Sequence, residues 1–151
     1  MLKIYFGSSI RGGHPHVTKE ELAHIVHEIK DLGYELMSEH STKKGIVDEE
    51  KKKEDTFIHD RDYEWMKKAD LGIFEISNPS LGTGAEISDM IRLRKPVLCL
   101  YKRGLDNGVS AYVLGKQGSK FVDTVFVCYE YHSLGEAKYA IKNFVEHNFK
   151  S

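Results

Sequence analysis

Short apolar runs alternate with helix-spaced amphipathic segments, and this order constrains the fold more than any single motif. LKIYF (2–6), YELM (34–37), LGIFEIS (71–77), PVLCLY (96–101) and DTVFVCY (123–129) read as strands. Thr18 with Glu21 forms a capping box ahead of Leu22, Ile25, Val26, Ile29 and Leu32, which repeat at helical spacing until Gly33 stops them. Helices are predicted over 55–69 and about 83–94, with a short one at SAYVLGK. Ser133 and Glu136 open a last helix whose inner face carries Leu134, Ala137, Ile141, Phe144 and Val145. Strands that alternate with helices place the chain in the α/β class. The expected architecture is a five-stranded parallel doubly wound sheet, flavodoxin-like or Rossmann-like, with helices on both faces. A length of 151 residues fits one domain spanning the whole chain. The polar stretch 38–54 runs into EEKKKED and reads as a solvated segment.

Lys and Arg number 22 against 23 Asp and Glu, a net charge of -1. That balance argues against nucleic acid as a partner, since such binding rests on a basic surface. A small anionic ligand needs only a local cluster of donors. No apolar run approaches membrane-spanning length and no signal core follows Met1, so a cytoplasmic protein with no membrane partner is expected. Cys99 and Cys128 each sit in an apolar strand and are expected as reduced, buried thiols.

In a doubly wound sheet, ligands sit beyond the carboxyl ends of the strands. Two unusual loops lie on that rim, SSIRGG after the first strand and SNPSLGTG after the third. Ser9 and Arg11 in one loop, Ser80 in the other and Ser110 after the fourth strand supply hydroxyls and a guanidinium. The backbone of Ile10, Gly12, Gly82 and Gly84 lies beside them, and together they suit a phosphate monoester. Each serine alone also reads as an ordinary turn residue.

Two acids stand out. Asp62 falls on the same helical stripe as Ile58, Trp65 and Ala69. A carboxyl there is costly without partners or a task, and desolvation favours its protonated form. It also fits an acid that caps a neighbouring loop. Glu86 is expected in the first turn of its helix, where the dipole favours the ionised form; first-turn glutamates are also common for stability alone. As a pair, one protonatable and one anionic carboxyl match glycosyl transfer, in which one group assists the leaving group and the other attacks the sugar. His14 and His16 invite a metal reading, but no companion ligands stand at suitable spacing, so no metal is expected.

Four segments together, YFGSSIRGG, IHDRDYEWMKKAD, NPSLGTGAE and GVSAYVLG, resemble the 2′-deoxynucleoside 5′-phosphate N-hydrolases of the nucleoside 2-deoxyribosyltransferase superfamily. The resemblance runs from the first strand to about residue 115, with the motifs in order and at similar spacing. It implies cleavage of a deoxynucleoside monophosphate to free base and deoxyribose 5-phosphate, without metal or cofactor. By the same resemblance Glu86 is the nucleophile, Asp62 the acid that meets the base, and Tyr5 the hydroxyl that orients Glu86. Ser9, Arg11, Ser80 and Ser110 become the phosphate set, with Ser110 supplied by the partner of a homodimer. One position departs from the pattern, with Ser8 where a glycine is usual. The alternatives are a deoxyribosyltransferase working on free nucleosides and a nucleotide-binding module without catalysis. The superfamily's transferases typically carry an aspartate where this chain has Ser80, and an aspartate would repel a 5′-phosphate. Ser80 therefore favours the hydrolase.

Overall fold

The structure is a computed structural model and describes residues 1–9, 16–38, 54–105 and 108–149. Its strands are β1 (Lys3–Ser8), β2 (Glu35–Leu36), β3 (Leu71–Glu75), β4 (Val97–Lys102) and β5 (Phe126–Tyr131). The helices of the described residues are α1 (Lys19–Asp31), α2 (Asp55–Lys68), α3 (Leu81–Arg92), α4 (Ala111–Leu114) and α5 (Leu134–Phe149). All strand pairs are parallel and the spatial order is β2-β1-β3-β4-β5. This is the flavodoxin-like order, so the expected α/β architecture holds. The chain leaves β1 toward β2 on one side and returns to place β3 on the other. The topological switch point, where this class of fold binds its ligands, therefore lies between β1 and β3.

Strand alternation builds two cores. Ile4 and Phe6 of β1, with Leu71, Ile73, Leu98 and Leu100, face Ile25 and Ile29 of α1 and Ile141 and Val145 of α5. Tyr5, Phe74, Val97 and Cys99 face the other way, onto Met66 of α2 and Ile87 and Met90 of α3. Burying each such aliphatic side chain stabilises the fold by roughly 1.5–3 kcal/mol. Gly33 stands at φ +90°. A Cβ would strain that conformation, which is why α1 stops there.

The capping box of α1 is present in both directions, the Glu21 amide donating to Thr18 at 3.1 Å and the Thr18 amide to the Glu21 carboxylate at 3.2 Å. At α5 the Glu136 amide donates to Ser133 Oγ at 3.2 Å, while its carboxylate receives the His132 amide at 3.1 Å. Cys99 is buried and Cys128 half-buried, and both are free thiols; the expectation of two fully buried thiols is corrected for Cys128. β5 begins three residues later than DTVFVCY suggested and ends at Tyr131, because pairing with β4 sets its limits, Val97 opposite Phe126 through Lys102 opposite Tyr131. No helix among the described residues is long and apolar enough to cross a membrane.

Candidate active site

β1 carries Tyr5 and Gly7 on one face, and both meet α3. The Tyr5 ring is fully buried and lies 6.0 Å from the Phe74 ring, tilted by 51°. Its hydroxyl donates a short hydrogen bond to Glu86 Oε2. Two residues on, Gly7 passes directly under the same carboxylate. A Cβ there would stand 2.7 and 2.8 Å from two atoms of the Phe74 ring and 3.1 Å from Glu86 Oε1. Gly7 is thus a glycine of close approach, and the approach is to an acid. β1 continues through Ser8, which pairs in register with Glu75. The residue that departs from the family pattern therefore extends the strand. Ser8 and Ser9 are both buried.

Glu86 itself requires a correction. The helix starts at Leu81, not 83, because Ser80 is its N-cap and accepts the Thr83 amide at 3.2 Å. Gly82 and Gly84 disfavour helix, but a good cap overrides their low propensity. Glu86 therefore sits in the second turn, beyond the first-turn amides invoked for it. The Tyr5 hydroxyl holds the carboxylate instead.

Asp62 lies on α2 with its side chain 14% exposed, and Arg61, equally buried, forks onto it. Arg61 donates to Asp62 Oδ1 from Nη2 at 2.8 Å and from Nε at 3.0 Å, and its guanidinium lies 4.6 Å from the Trp65 ring centroid. The acid expected on an apolar stripe thus has a charged partner on its own helix. Of the stripe containing Asp62, only Ala69 is fully buried, and Met66 is the buried residue within α2. His59, three residues before Asp62, bonds Asp60 at 2.9 Å and stacks on Tyr63.

Of the phosphate candidates, Ile10, Arg11 and Gly12 lie outside the described residues, as does His14. Ser80 and Ser110 are both helix N-caps, Ser110 Oγ accepting the Val113 amide at 3.4 Å. Each cap uses an oxygen lone pair and leaves the hydroxyl hydrogen to donate elsewhere. Ser80, Gly84, Ser88 and Ser110 line an open groove of about 810 Å³ between α3 and α4. Gly84 would meet nothing within 4 Å if it carried a Cβ, and Gly82 only Ser80 Oγ at 4.0 Å. Packing within this chain therefore does not demand glycine at either position. Tyr5, Asp62 and Glu86 do not line this groove. Gly84 and Glu86 are two residues apart, about 200° around the helix, so α3 presents them to different sides. No group of three or more His, Cys, Asp or Glu among the described residues is placed to hold a metal ion.

A model of the nucleoside 2-deoxyribosyltransferase family matches residues 4–122. The chain belongs to that family. Among its relatives is the 5-hydroxymethyl-dUMP N-hydrolase of Tetraodon nigroviridis, 34% identical over 125 residues that cover 80% of this chain and 85% of that one. The enzyme of the same name from Esox lucius is 36% identical over 124 residues, covering 80% and 83%. The fold of this deoxyribosyltransferase-family chain also matches the structure of Clostridium botulinum CMP N-glycosidase, BcmB. There the TM-score is 0.66 at 16% identity, over 94% of this chain and 98% of the other.

Three residues that matter to this family member were not singled out in the sequence. Gly7 passed as the end of a strand. Glu75 passed as part of LGIFEIS, although a carboxyl in an otherwise apolar strand was a readable signal. It is 2% exposed. The Tyr131 hydroxyl donates a short bond to one of its oxygens and the Ser77 amide to the other at 2.6 Å. Burial pushes the Glu75 carboxyl up from its ordinary value, against the lowering effect of these bonds. Burial, together with Glu75, pushes the Tyr131 hydroxyl well up too. Asn78, the third, reads only as the start of an Asn-Pro turn; its side chain accepts the Val17 amide at 3.3 Å and donates to the Val17 carbonyl at 2.9 Å.

Proposed function

We propose that this protein hydrolyses the N-glycosidic bond of a 2′-deoxynucleoside 5′-monophosphate, releasing free base and deoxyribose 5-phosphate. The observation that carries this reading is the Tyr5 hydroxyl bonded to Glu86 directly above Gly7. A buried donor orients a carboxylate at the rim of the sheet, and a glycine clears the space beneath it. Binding alone does not need an oriented carboxylate.

In the proposed reaction a Glu86 oxygen attacks the anomeric carbon as the bond to the base breaks, giving a covalent glycosyl ester. Asp62 is assigned to the base, whose departure it assists by proton transfer. Water then attacks the same carbon, its proton leaves, and the Glu86 carboxylate is restored with net retention. Tyr5 keeps the carboxylate aimed through both steps. Hydrolysis is favoured over base exchange by Ser80, which adds no negative charge where a 5′-phosphate would sit. The family relatives' names direct the first assay to 5-hydroxymethyl-dUMP.

The site is proposed to be completed in a homodimer, with Ser110 reaching the partner's phosphate. Two observations support this. Ser110 shares its groove with the side of α3 that faces away from Glu86. Leu81 and Tyr112 beside it are 97% and 81% exposed, an unusual display of large apolar side chains. Free thiols at Cys99 and Cys128 suit the cytoplasmic location we propose.

The test is chromatographic release of free base from deoxynucleoside monophosphates, the matching nucleosides and ribonucleotides, with Glu86→Ala alongside. Release from monophosphates that Glu86→Ala nearly abolishes is the expected result. Exchange on unphosphorylated nucleosides alone would replace the hydrolase with a transferase.

A further inference from the structure

β4 and β5 bring the two cysteines of the chain together. Cys99 and Cys128 are partners in the parallel register. Partnered residues of a parallel pair project from the same face, and both thiols lie with the core that holds Val97 and Met90. Neighbouring strands stand about 4.7–4.9 Å apart. A disulfide spans Cα separations of about 4.4–6.8 Å, so the sheet itself sets this pair within bridging range. Both thiols are free.

The two thiols are not equivalent. Cys99 is fully buried on an inner strand, whereas Cys128 is half-buried on β5, which ends the sheet. The Cys99 thiol donates to the Cys128 sulfur. That bond holds the Cys128 thiol below its ordinary value. The same bond, together with burial, pushes the Cys99 thiol up. The thiolate is the reactive form, so the outer sulfur is the nucleophile and the inner one stands behind it. The backbone at Cys128 is fixed as well, its amide donating to Gln117 Oε1 at 2.7 Å.

We propose that Cys99 and Cys128 form a dithiol site for a small hydroperoxide, which closes them reversibly into an intrachain disulfide. Cys128 sulfur attacks one peroxide oxygen and the O–O bond breaks. The proton lost by the thiol ends on the departing oxygen, and Cys128 becomes a sulfenic acid. Cys99 sulfur then attacks Cys128 sulfur, the S–O bond breaks, and the Cys99 proton leaves with the hydroxide as water. Two thiols are oxidised to one disulfide, and the hydroperoxide is reduced to water or an alcohol. Because the second thiol is already in place, the closing step is unimolecular. It outruns both a bond to another chain and further oxidation of Cys128. Neither cysteine lines the groove or belongs to the proposed catalytic set, so the inference is independent of the hydrolase reading.

The test treats the folded full chain with hydrogen peroxide. It reads the thiol count after denaturation, the intact mass, and labelling by dimedone, which traps sulfenic acids. The chain has 2 cysteines, so every thiol lost belongs to this pair. Wild type should lose both thiols together, drop in mass by two hydrogen atoms, run as a single chain on a non-reducing gel, and regain both thiols with dithiothreitol. Methionine oxidation adds mass and is not reversed by dithiothreitol, so it is told apart. Cys99→Ser should leave Cys128 as a sulfenic acid that dimedone labels, whereas Cys128→Ser should keep its buried thiol through the same treatment. Retention of both thiols in folded wild type, at a dose that oxidises the thiols of the unfolded chain, would overturn the proposal. So would a bridge between two chains, or dimedone labelling of wild type equal to that of Cys99→Ser. The wild-type measurement stands whether or not either serine variant folds.

Discussion

Replacing Tyr5 with phenylalanine removes one oxygen from the core of the site and little else. The ring packs against Phe74 at 6.0 Å between centroids and is fully buried, so Tyr5→Phe keeps the apolar contacts. What disappears is the donor to Glu86 Oε2. A hydrogen bond to a charged group contributes about 1.5–3 kcal/mol. If that bond aims the carboxylate in the transition state, each ~1.4 kcal/mol lost costs about a factor of ten, and kcat should fall roughly 10- to 150-fold. KM should change little, because the phosphate candidates are untouched. The assay is steady-state base release over a range of monophosphate, paired with urea unfolding of the same samples. A variant that unfolds like wild type yet turns over slowly matches the reasoning. A variant with unchanged kcat, whatever its stability, would show that the Tyr5–Glu86 bond belongs to the fold and not to the chemistry.

Gly7→Ala should destabilise the protein by about 1–3 kcal/mol, as overpacking does, because its Cβ meets the buried Phe74 ring at 2.7 Å. It should also depress turnover by crowding Glu86, and an unchanged melting temperature would contradict the packing described. Glu75→Gln probes the buried carboxyl. Its pKa is raised in the fold, so the folded state binds the proton more tightly than the unfolded chain. Wild-type stability should therefore fall as pH rises from about 4.5, the ordinary value, to the raised one, and stay lower above it. The glutamine variant should lack that slope in denaturant titrations across pH; an identical slope would mean that another group is responsible. Thr18→Ala removes the acceptor for the Glu21 amide and should cost ~1 kcal/mol without changing kcat. Catalytic loss in that variant would tie α1 to the site more closely than the geometry implies.

The order of elements was legible because two periodicities are local. Leu22, Ile25, Val26 and Ile29 repeat as a helix must if one stripe is to be buried, and all four are buried. Thr18 and Glu21 mark a helix start within four residues. Asp62 is legible as an acid on an apolar stripe, and Glu86 as an acid early in the helix that follows a glycine-rich rim loop. Boundaries were less legible. Glu86 falls in a first turn if the helix starts near residue 83, whereas the Thr83 amide bonded to Ser80 puts the start at Leu81.

By itself, then, the sequence determined the class of fold, the strand-helix order, the caps, and which acids lay near a rim. Those follow from propensity and period, which act over a few residues. The Tyr5–Glu86 bond, across 81 residues of chain, was expected from the family resemblance and not from any local pattern, and only the tertiary structure decided that Asn78 grips Val17 across 61 and that Glu75 is enclosed by Tyr131 across 56. It also decided that Gly7 must be glycine, since Phe74 and Glu86 arrive there from other elements. The physical reason is that a parallel sheet brings together residues far apart in the chain. A side chain's partners are then set by sheet order and register, which no local window of sequence contains.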